Sequence, residues 1–245
     1  MRAQPWWQSF FDDDFASLVL DRVDPITLRR TIAFFEDVLR IRPGVRVLDQ
    51  CCGTGRLAVP LAGLGVTVVA VDVVPSYVAR VRARSPSIEA HCEDAASFVP
   101  SVPCAAAFNW WTSFGFDEDD RTSRAMLSRA RDALVRGGRF ALDYPNVPRV
   151  LAELETEMTT TVGDVTIIRR SAIDESRQTL EQSWSYVFGD GRTKTAQGRT
   201  RLHRPEDLAR MFEDAGLSVV DLFGDVDLAP LGEQSPRCIV VGEAR

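Results

Sequence analysis

The run Val45-Arg46-Val47-Leu48-Asp49, continued by Gln50-Cys51-Cys52-Gly53-Thr54-Gly55, constrains this chain more than any other segment. Apolar residues at alternate positions in 45–49 predict a strand. Gly53 and Gly55 predict a tight loop in which the backbone passes close to whatever lies against it. The apolar segment Leu57–Leu64, closed by Gly65, predicts a helix. A strand that turns through glycines into a helix N-terminus points backbone N–H groups at one spot and is suited to hold a small ligand. Two glycines alone are also the ordinary chemistry of a turn, so the signal depends on the segments downstream.

Those segments alternate regularly. Val66–Asp72 is a nearly unbroken β-branched run, as expected of a strand covered on both faces. A helix is predicted over Pro75–Ser85, a short strand over Ile88–Cys92, and a fourth strand over Cys104–Trp110. A helix over Asp119–Val135, ended by Gly137-Gly138, leads to a fifth strand at Arg139–Tyr144. This rhythm predicts a doubly wound α/β fold, a parallel sheet with helices on both faces, whose ligands sit at the carboxyl ends of the strands. Upstream, Asp24 and Pro25 start an amphipathic helix over 24–40 with Ile26, Leu28, Ile32, Phe35, Val38 and Leu39 as its apolar face. Segment 5–20 mixes aromatic and acidic residues at helical spacing from Phe10 onward.

Past residue 155 the rhythm breaks. Thr159–Ile173, Thr179–Phe188 and Arg192–His203 read as three antiparallel strands, with Asp190-Gly191 as a hairpin turn. The α/β pattern then resumes with a helix from Arg204-Pro205 to Ala215 and strands at Leu217–Leu222 and Arg237–Gly242. The 245 residues, 45% of them hydrophobic, suit a single domain over 1–245 that includes an N-terminal lid at 1–24 and an inserted antiparallel β cover at 155–203.

Composition limits the partners. A net charge of −6 and a pI near 5.1 oppose binding to a nucleic-acid backbone. No apolar run reaches the roughly 18 residues of a membrane span, and the N-terminus lacks a signal pattern, so the expectation is a cytoplasmic protein without membrane or nucleic-acid partners, as a monomer or homodimer. The five cysteines, Cys51, Cys52, Cys92, Cys104 and Cys238, fit no metal spacing and read as reduced, mostly buried thiols.

Two acids lie in register with the loop. Asp72 ends the second strand, 17 residues after Gly55, where a carboxylate can accept from both hydroxyls of a ribose. Asp94 follows the third strand, within reach of an adenine's exocyclic amine. Each could separately be a cap or a surface acid. Loop and two acids in register at successive strand ends point to a nucleoside. After Gly53-Thr54-Gly55 the two residues Arg56 and Leu57 are not followed by a third glycine, and there is no Gly-Lys-Ser/Thr ending, which opposes a dinucleotide and ATP.

Asp49, the Cys-Gly-Thr-Gly loop, Asp72 and Asp94 together resemble the class I S-adenosylmethionine-dependent methyltransferases, over about residues 40–150 and 200–245. Asn109-Trp-Trp-Thr-Ser-Phe-Gly-Phe116 and Arg136-Gly-Gly-Arg-Phe-Ala-Leu-Asp-Tyr-Pro-Asn146 are similar to a bacterial branch acting on small molecules, which also carries an aromatic lid and an insertion after the fifth strand. The resemblance implies a seven-stranded, mostly parallel sheet in the order 3-2-1-4-5-7-6, with S-adenosyl-L-methionine as cofactor and S-adenosyl-L-homocysteine as product. It also implies a cofactor site. Asp49 would lie near the methionine amino group and Cys51, Gly53 and Gly55 beneath the cofactor. Asp72 would hold the ribose, Val73 would flank the adenine, Asp94 and Ala95 would read its edge, and Asn109 would lie under the methionine end.

Methyl transfer from a sulfonium is an in-line displacement that asks the protein mainly for alignment and desolvation. Tyr144 and Asn146, at the end of the fifth strand, and His203, at the end of the inserted segment, are the candidates for proton handling. His91 and Asp143 read as structural. The fourth strand lacks the Asn/Asp-Pro-Pro-Tyr/Phe and Pro-Cys signatures of nucleic-acid base methylation. Trp6, Trp7, Trp110, Trp111, Phe114, Trp184 and Tyr186 are candidates for an aromatic acceptor pocket, with Arg201 as an anion partner. An aromatic is more often core than ligand contact. One of the adjacent Trp110 and Trp111 is expected to pack inward and the other to wall the acceptor site. The expected function is methyl transfer to N, O or C of a small molecule. The alternatives are a peptide, protein or RNA acceptor, or cofactor binding without turnover.

Overall fold

The computed structural model describes residues 5–111, 113–117 and 119–245. An N-terminal segment of short helical pieces, α1 (Trp7–Phe10), α2 (Asp13–Phe15) and a π-helical turn at Ala16–Leu20, precedes α3 (Pro25–Val38). Asp24 caps α3, its carboxylate accepting from Thr27 N at 2.8 Å, a contact worth about 1 kcal/mol. The buried stripe of α3 is Thr31, Phe34, Phe35 and Val38, and Ile26 is 59% exposed. Phe35, Val38 and Leu39 of the expected face are buried and Leu28 and Ile32 pack at its margin, while Phe34 joins them and Ile26 at the helix start does not.

The chain then alternates: β1 (Arg46–Gln50), α4 (Ala58–Gly63), β2 (Thr67–Asp72), α5 (Pro75–Arg84), β3 (Glu89–Cys92), β4 (Cys104–Asn109), α6 (Arg121–Asp132) and β5 (Leu134–Pro145). A short α7 (Val147–Ala152) leads into the insertion, β6 (Glu157–Val162), β7 (Val165–Asp174), β8 (Thr179–Val187) and β9 (Thr193–Arg201). After it come α8 (Pro205–Asp214), β10 (Leu217–Phe223) and β11 (Arg237–Ala244). The main sheet has the order β10-β11-β5-β4-β1-β2-β3. Its central pairs are parallel, while β11 runs antiparallel to both β5 and β10. This is the expected order, with the last two strands filling the sixth and seventh places.

The insertion is a separate four-stranded antiparallel sheet, β6-β7-β8-β9. The expected long first strand, 159–173, is a hairpin. Gly163 takes φ +60 and joins β6 to β7 through Asp164, so what reads as one threonine-rich run is two paired strands. Asp190-Gly191 makes the second hairpin turn as expected, with Gly191 N donating to Phe188 O at 2.9 Å.

Apolar layers cover both faces of the main sheet. On one, Phe35, Leu57 and Leu61 pack against Val47, Val68 and Phe108. On the other, Leu127, Leu208 and Phe212 pack against Leu48, Phe140 and Val240. A third cluster joins the N-terminal segment to the insertion and α5: Phe10, Phe15, Ala16, Leu20 and Tyr77 are buried together, with Trp6 and Trp184 at the margin.

Candidate active site

The glycine loop links β1 to α4 with three residues at positive φ, Cys51 at +64, Gly53 at +55 and Gly55 at +81. A Cβ on Gly55 would lie 2.9 Å from Val81 Cγ2 and 3.2 Å from Val59 Cγ2, so this glycine is required by α5 packing as well as by its φ. Asp72 closes the loop from the next strand. Its Oδ2 accepts from Gly53 N at 2.8 Å and its Oδ1 from Val74 N at 2.9 Å. Each oxygen keeps a lone pair for a further donor. Asp94, exposed, accepts from Ala96 N at 2.8 Å through Oδ1 and so shapes its own turn, beside buried Ala95 and the 37% exposed Val73.

Asp49 is 3% exposed at the end of β1. Burial, joined by the charge of Asp72, pushes its carboxyl up to about 8, against the pull of Arg56. The same burial and the same acids keep the Cys51 thiol protonated, which leaves it a packing group, as expected.

A directed amide chain runs beneath the loop. Gln50 Nε2 donates to Met126 O at 3.1 Å, which turns Gln50 Oε1 toward Asn109 Nδ2 at 3.3 Å. Asn109 Nδ2 is also 3.8 Å from Cys51 Sγ. Its Oδ1 is then left buried with no partner among the described residues. An unpartnered buried acceptor costs about 1–3 kcal/mol, so this oxygen suits an N–H donor brought by a ligand.

The two adjacent tryptophans part company. Trp110 is 5% exposed and packs inward, its ring 4.7 Å from Phe35 and 5.7 Å from Phe34. It belongs to the core, which corrects its place among the pocket candidates. Trp111 is half-buried at φ +61, a conformation that costs a bulky residue about 1–3 kcal/mol. Its N–H donates to Asp143 Oδ2 at 3.0 Å, and Asp143 also pairs with Arg237, whose Nε lies 2.5 Å from Oδ1. Burial pushes the Asp143 carboxyl up, and Arg237 and the Trp111 N–H pull it back. The indole face lies 4.0 Å from the guanidinium carbon of Arg56.

The remaining candidates sort by what they touch. Phe114 is 1% exposed and meets the rings of Tyr144 and His203 at 6.0 Å each. Tyr144 is fully buried and its hydroxyl donates to Arg201 O. Asn146 Nδ2 donates to Gly232 O, Glu233 O and Ser235 O at 2.8–3.0 Å, which commits it to holding that loop. Phe114 and Tyr144 are thus enclosed by protein groups, while Asn146 Oδ1, like Asn109 Oδ1, is buried with no partner among the described residues. His203, 5% exposed, stands 3.7 Å from Asp120. Burial pulls its imidazole below the ordinary value, against the pull of Asp120. Arg201 pairs with Asp120 at 2.8 Å.

Trp6, in the N-terminal segment, and Trp184 and Tyr186, in β8, lie where that segment meets the insertion. Trp6 packs on Phe10, Phe116 and the bare backbone of Gly198, and its Nε1 donates to Phe116 O at 3.1 Å. Trp184 meets Phe10 and Phe15, and Tyr186 is 1% exposed. These rings join lid to insertion. Trp7 is half-buried in α1. The lid in turn lies on the loop. Leu20 Cδ1 is 3.7 Å from where a Gly53 Cβ would be, Thr54 Oγ1 donates to Asp21 at 2.8 Å, and Tyr77 OH donates to Asp12 O at 2.8 Å.

Sequence reasoning missed Arg56, Gln50 and Tyr77, and treated Asp143 as structural only. The signal for Arg56 was its place directly after Gly55. The others show themselves only through partners distant in sequence.

Known proteins share this fold. Residues 47–138 match the family model described as a methyltransferase domain. CcbJ, a methyltransferase from Streptomyces caelestis, superposes with a TM-score of 0.81 at 24% identity, covering 94% of this chain and 96% of its own. CalS10, an amino pentose methyltransferase from Micromonospora echinaspora solved with its cofactor bound, gives 0.71 at 18%, covering 96% and 98%. The sugar N-methyltransferase KedS8 from Streptoalloteichus gives 0.72 at 19%, covering 95% and 92%. At these identities the likeness to solved structures establishes the fold. No curated protein matches the sequence. Over residues 47–138 the chain thus matches a methyltransferase domain, and its fold is that of these neighbours; the cofactor that the sequence resemblance implies is S-adenosylmethionine. The residues present fit that group, with an acid at the end of each of β1 and β2, a third just past β3, and an unpartnered buried acceptor on Asn109. Among the described residues no set of His, Cys, Asp and Glu could hold a metal, and no helix is long and apolar enough to cross a membrane.

Proposed function

We propose that the protein methylates a nitrogen of a small polar molecule, such as an amino sugar, within bacterial specialised metabolism. The observation that carries this reading is the N-terminal segment, which lies on the glycine loop through Leu20 and Asp21 and packs against the inserted sheet through Phe10, Phe15 and Trp184. A cover of that kind suits an acceptor small enough to be enclosed. The amino pentose and sugar N-acting enzymes among the structural neighbours support the choice of acceptor.

The cofactor supplies an electrophilic methyl with its own leaving group. Asp72 would hold the ribose, Asp94 and Ala95 the adenine edge, and Asp49 and Asn109 the methionine end. The lid would exclude water. His203 is the remaining candidate for accepting a proton, being buried and neutral.

The test is transfer of labelled methyl from S-adenosylmethionine to a panel of amino sugars, small amines, phenols, peptides and RNA. Labelling confined to small amines is the expected result, and labelling of peptide or RNA would overturn it. Asp72→Asn should weaken S-adenosylhomocysteine binding by about tenfold to a hundredfold in calorimetry, since it removes a charged acceptor.

A further inference from the structure

The inserted sheet turns one face to the N-terminal segment, and that face changes character along its length. At one end Ile167 and Tyr186 are buried with Val19 of the segment, and at the other Ile173 and Leu180 pack on the core of the main sheet. The stretch between is polar. Residues opposite one another on neighbouring strands share a face, so Ser171, Gln182 and Gly198 form one row there, and Arg169, Trp184 and Ala196 the next. Ser171, Gln182 and Gly198 line an open cleft of about 440 Å³ together with Trp6. A Cβ on Gly198 would lie 3.2 Å from the Trp6 ring, so the bare backbone is what admits the indole over the sheet. Gln182 Nε2 donates to Ser171 Oγ at 3.2 Å, which orients both groups. Trp6 Nε1 donates to Phe116 O, so the cleft borders the loop that follows Asn109.

Arg169 stands one row beyond the cleft, about 7 Å along β7 from Ser171. Other cations of the insertion are paired: Arg170 with Glu157, Arg177 with Asp174, Arg192 with Asp190, and Lys194 with Asp12 and Asp14. Arg169 has no carboxylate partner among the described residues. Its Nη2 reaches only the Met158 thioether, a weak acceptor, at 3.6 Å, and its Nε is buried without a partner. Trp184 lies directly opposite on β8, and its Nε1 is likewise buried without a partner. The guanidinium carbon is 5.8 Å from the Trp184 ring. Two unpartnered N–H donors, one of them charged, thus stand side by side on the face that carries the cleft. Their common complement is an anionic oxygen.

We propose that this cleft takes the methyl acceptor, and that Arg169 and Trp184 Nε1 bind an anionic group on it, a carboxylate or a phosphate, so that the preferred acceptor is an acidic amine. Gln182 and Ser171 would meet its hydroxyls. This rests on the reading of the protein as a methyltransferase of small amines and narrows it.

The test uses three amines of one skeleton on the full-length chain: glucosamine, its phosphate ester at the primary hydroxyl, and the aminouronic acid in which that hydroxyl is replaced by a carboxylate. Binding is read by calorimetry with S-adenosylhomocysteine present, and turnover by transfer of labelled methyl from S-adenosylmethionine. Wild type should prefer an acidic member over glucosamine by about tenfold to a hundredfold, the span of one charge-assisted pair. Whether phosphate or carboxylate is preferred identifies the anionic group. Arg169→Gln should reduce the preference to within about twofold. Trp184→Phe keeps a ring against Phe10 and Phe15 and removes the N–H, and should lower the preference about threefold to tenfold. Arg192→Gln removes a paired charge elsewhere in the insertion and should leave the preference unchanged. No acid preference in wild type, a preference that survives Arg169→Gln, or one lost equally in Arg192→Gln would overturn the proposal while labelling of amines keeps the methyltransferase reading intact. Neither binding nor labelling of any amine by wild type would overturn both. Thermal melts identify any variant that fails to fold, and Arg169→Lys, which keeps the charge without the fork and should show an intermediate preference, then carries the comparison.

Discussion

Asp49 is the residue whose protonation the fold changes most clearly. Its carboxyl, ordinarily near 3.8, is raised to about 8 by burial and by Asp72. Between those values the folded chain holds a proton that the unfolded chain has released. This group therefore lowers stability as pH rises through that window, and adds nothing further above it. A ligand bringing an ammonium group favours the ionised form and expels that proton. S-adenosylhomocysteine affinity should then rise with pH below 8, by up to about tenfold per unit. Titrations at pH 6, 7 and 8, in buffers of differing ionisation heat, check both the slope and the proton release. Asp49→Asn should flatten the slope, and a wild-type slope of zero would show that Asp49 does not change ionisation on binding. Asp49, Asp72, Asp94 and the two glycines were all legible in the sequence, since each stands at a strand end whose spacing the alternation sets. The roles of Trp110 and Trp111 were not. Neighbouring residues are expected to point apart, but which one faces the core depends on Phe34 and Phe35 of α3 and on the Asp143 carboxylate.

At the scale of elements, the close packing of α5 against the glycine loop makes Gly55 indispensable. Gly55→Ala places a methyl against Val81 and Val59 and imposes a side chain at φ +81. It should destabilise the fold by about 1–3 kcal/mol, read as a lower melting temperature. An unchanged melting point would mean that α5 moves aside freely. The helices and strands of the α/β frame were legible because apolar period and glycine stops are local signals. The insertion was only partly so. Thr-Thr-Thr-Val-Gly-Asp-Val-Thr reads as continuous strand propensity, and a single glycine at a turn looks the same as a glycine within a strand until pairing partners are known. The exchange of Ile26 for Phe34 on the buried face of α3 has a similar cause, since both are apolar and only packing against the sheet selects between them.

At the scale of the whole molecule, the N-terminal segment is held between the glycine loop and the inserted sheet. Lys194, the sole lysine in the chain, joins Asp12 and Asp14 of that segment to β9, and Arg80 ties Asp13 and Asp21 to α5. Partly exposed pairs of this kind are worth about 0.2–1 kcal/mol each. Lys194→Met should accordingly speed limited proteolysis within residues 5–21 by about twofold to fivefold, and S-adenosylhomocysteine should protect the segment. An unchanged rate would show that aromatic packing alone keeps it closed. By itself the sequence determined the α/β frame, the order of its strands through the family it resembles, and the acids at the strand ends, because periodicity, caps and motif spacing all act within short windows. Only the tertiary structure decided which tryptophan enters the core, that Asn146 and Tyr144 support loops, and that Arg56 is left without a polar partner among the described residues. Those outcomes rest on contacts such as Trp111 with Asp143, 32 residues apart, and Asp143 with Arg237, 94 apart. No local pattern carries information about partners so distant, and folding alone brings them within hydrogen-bond range.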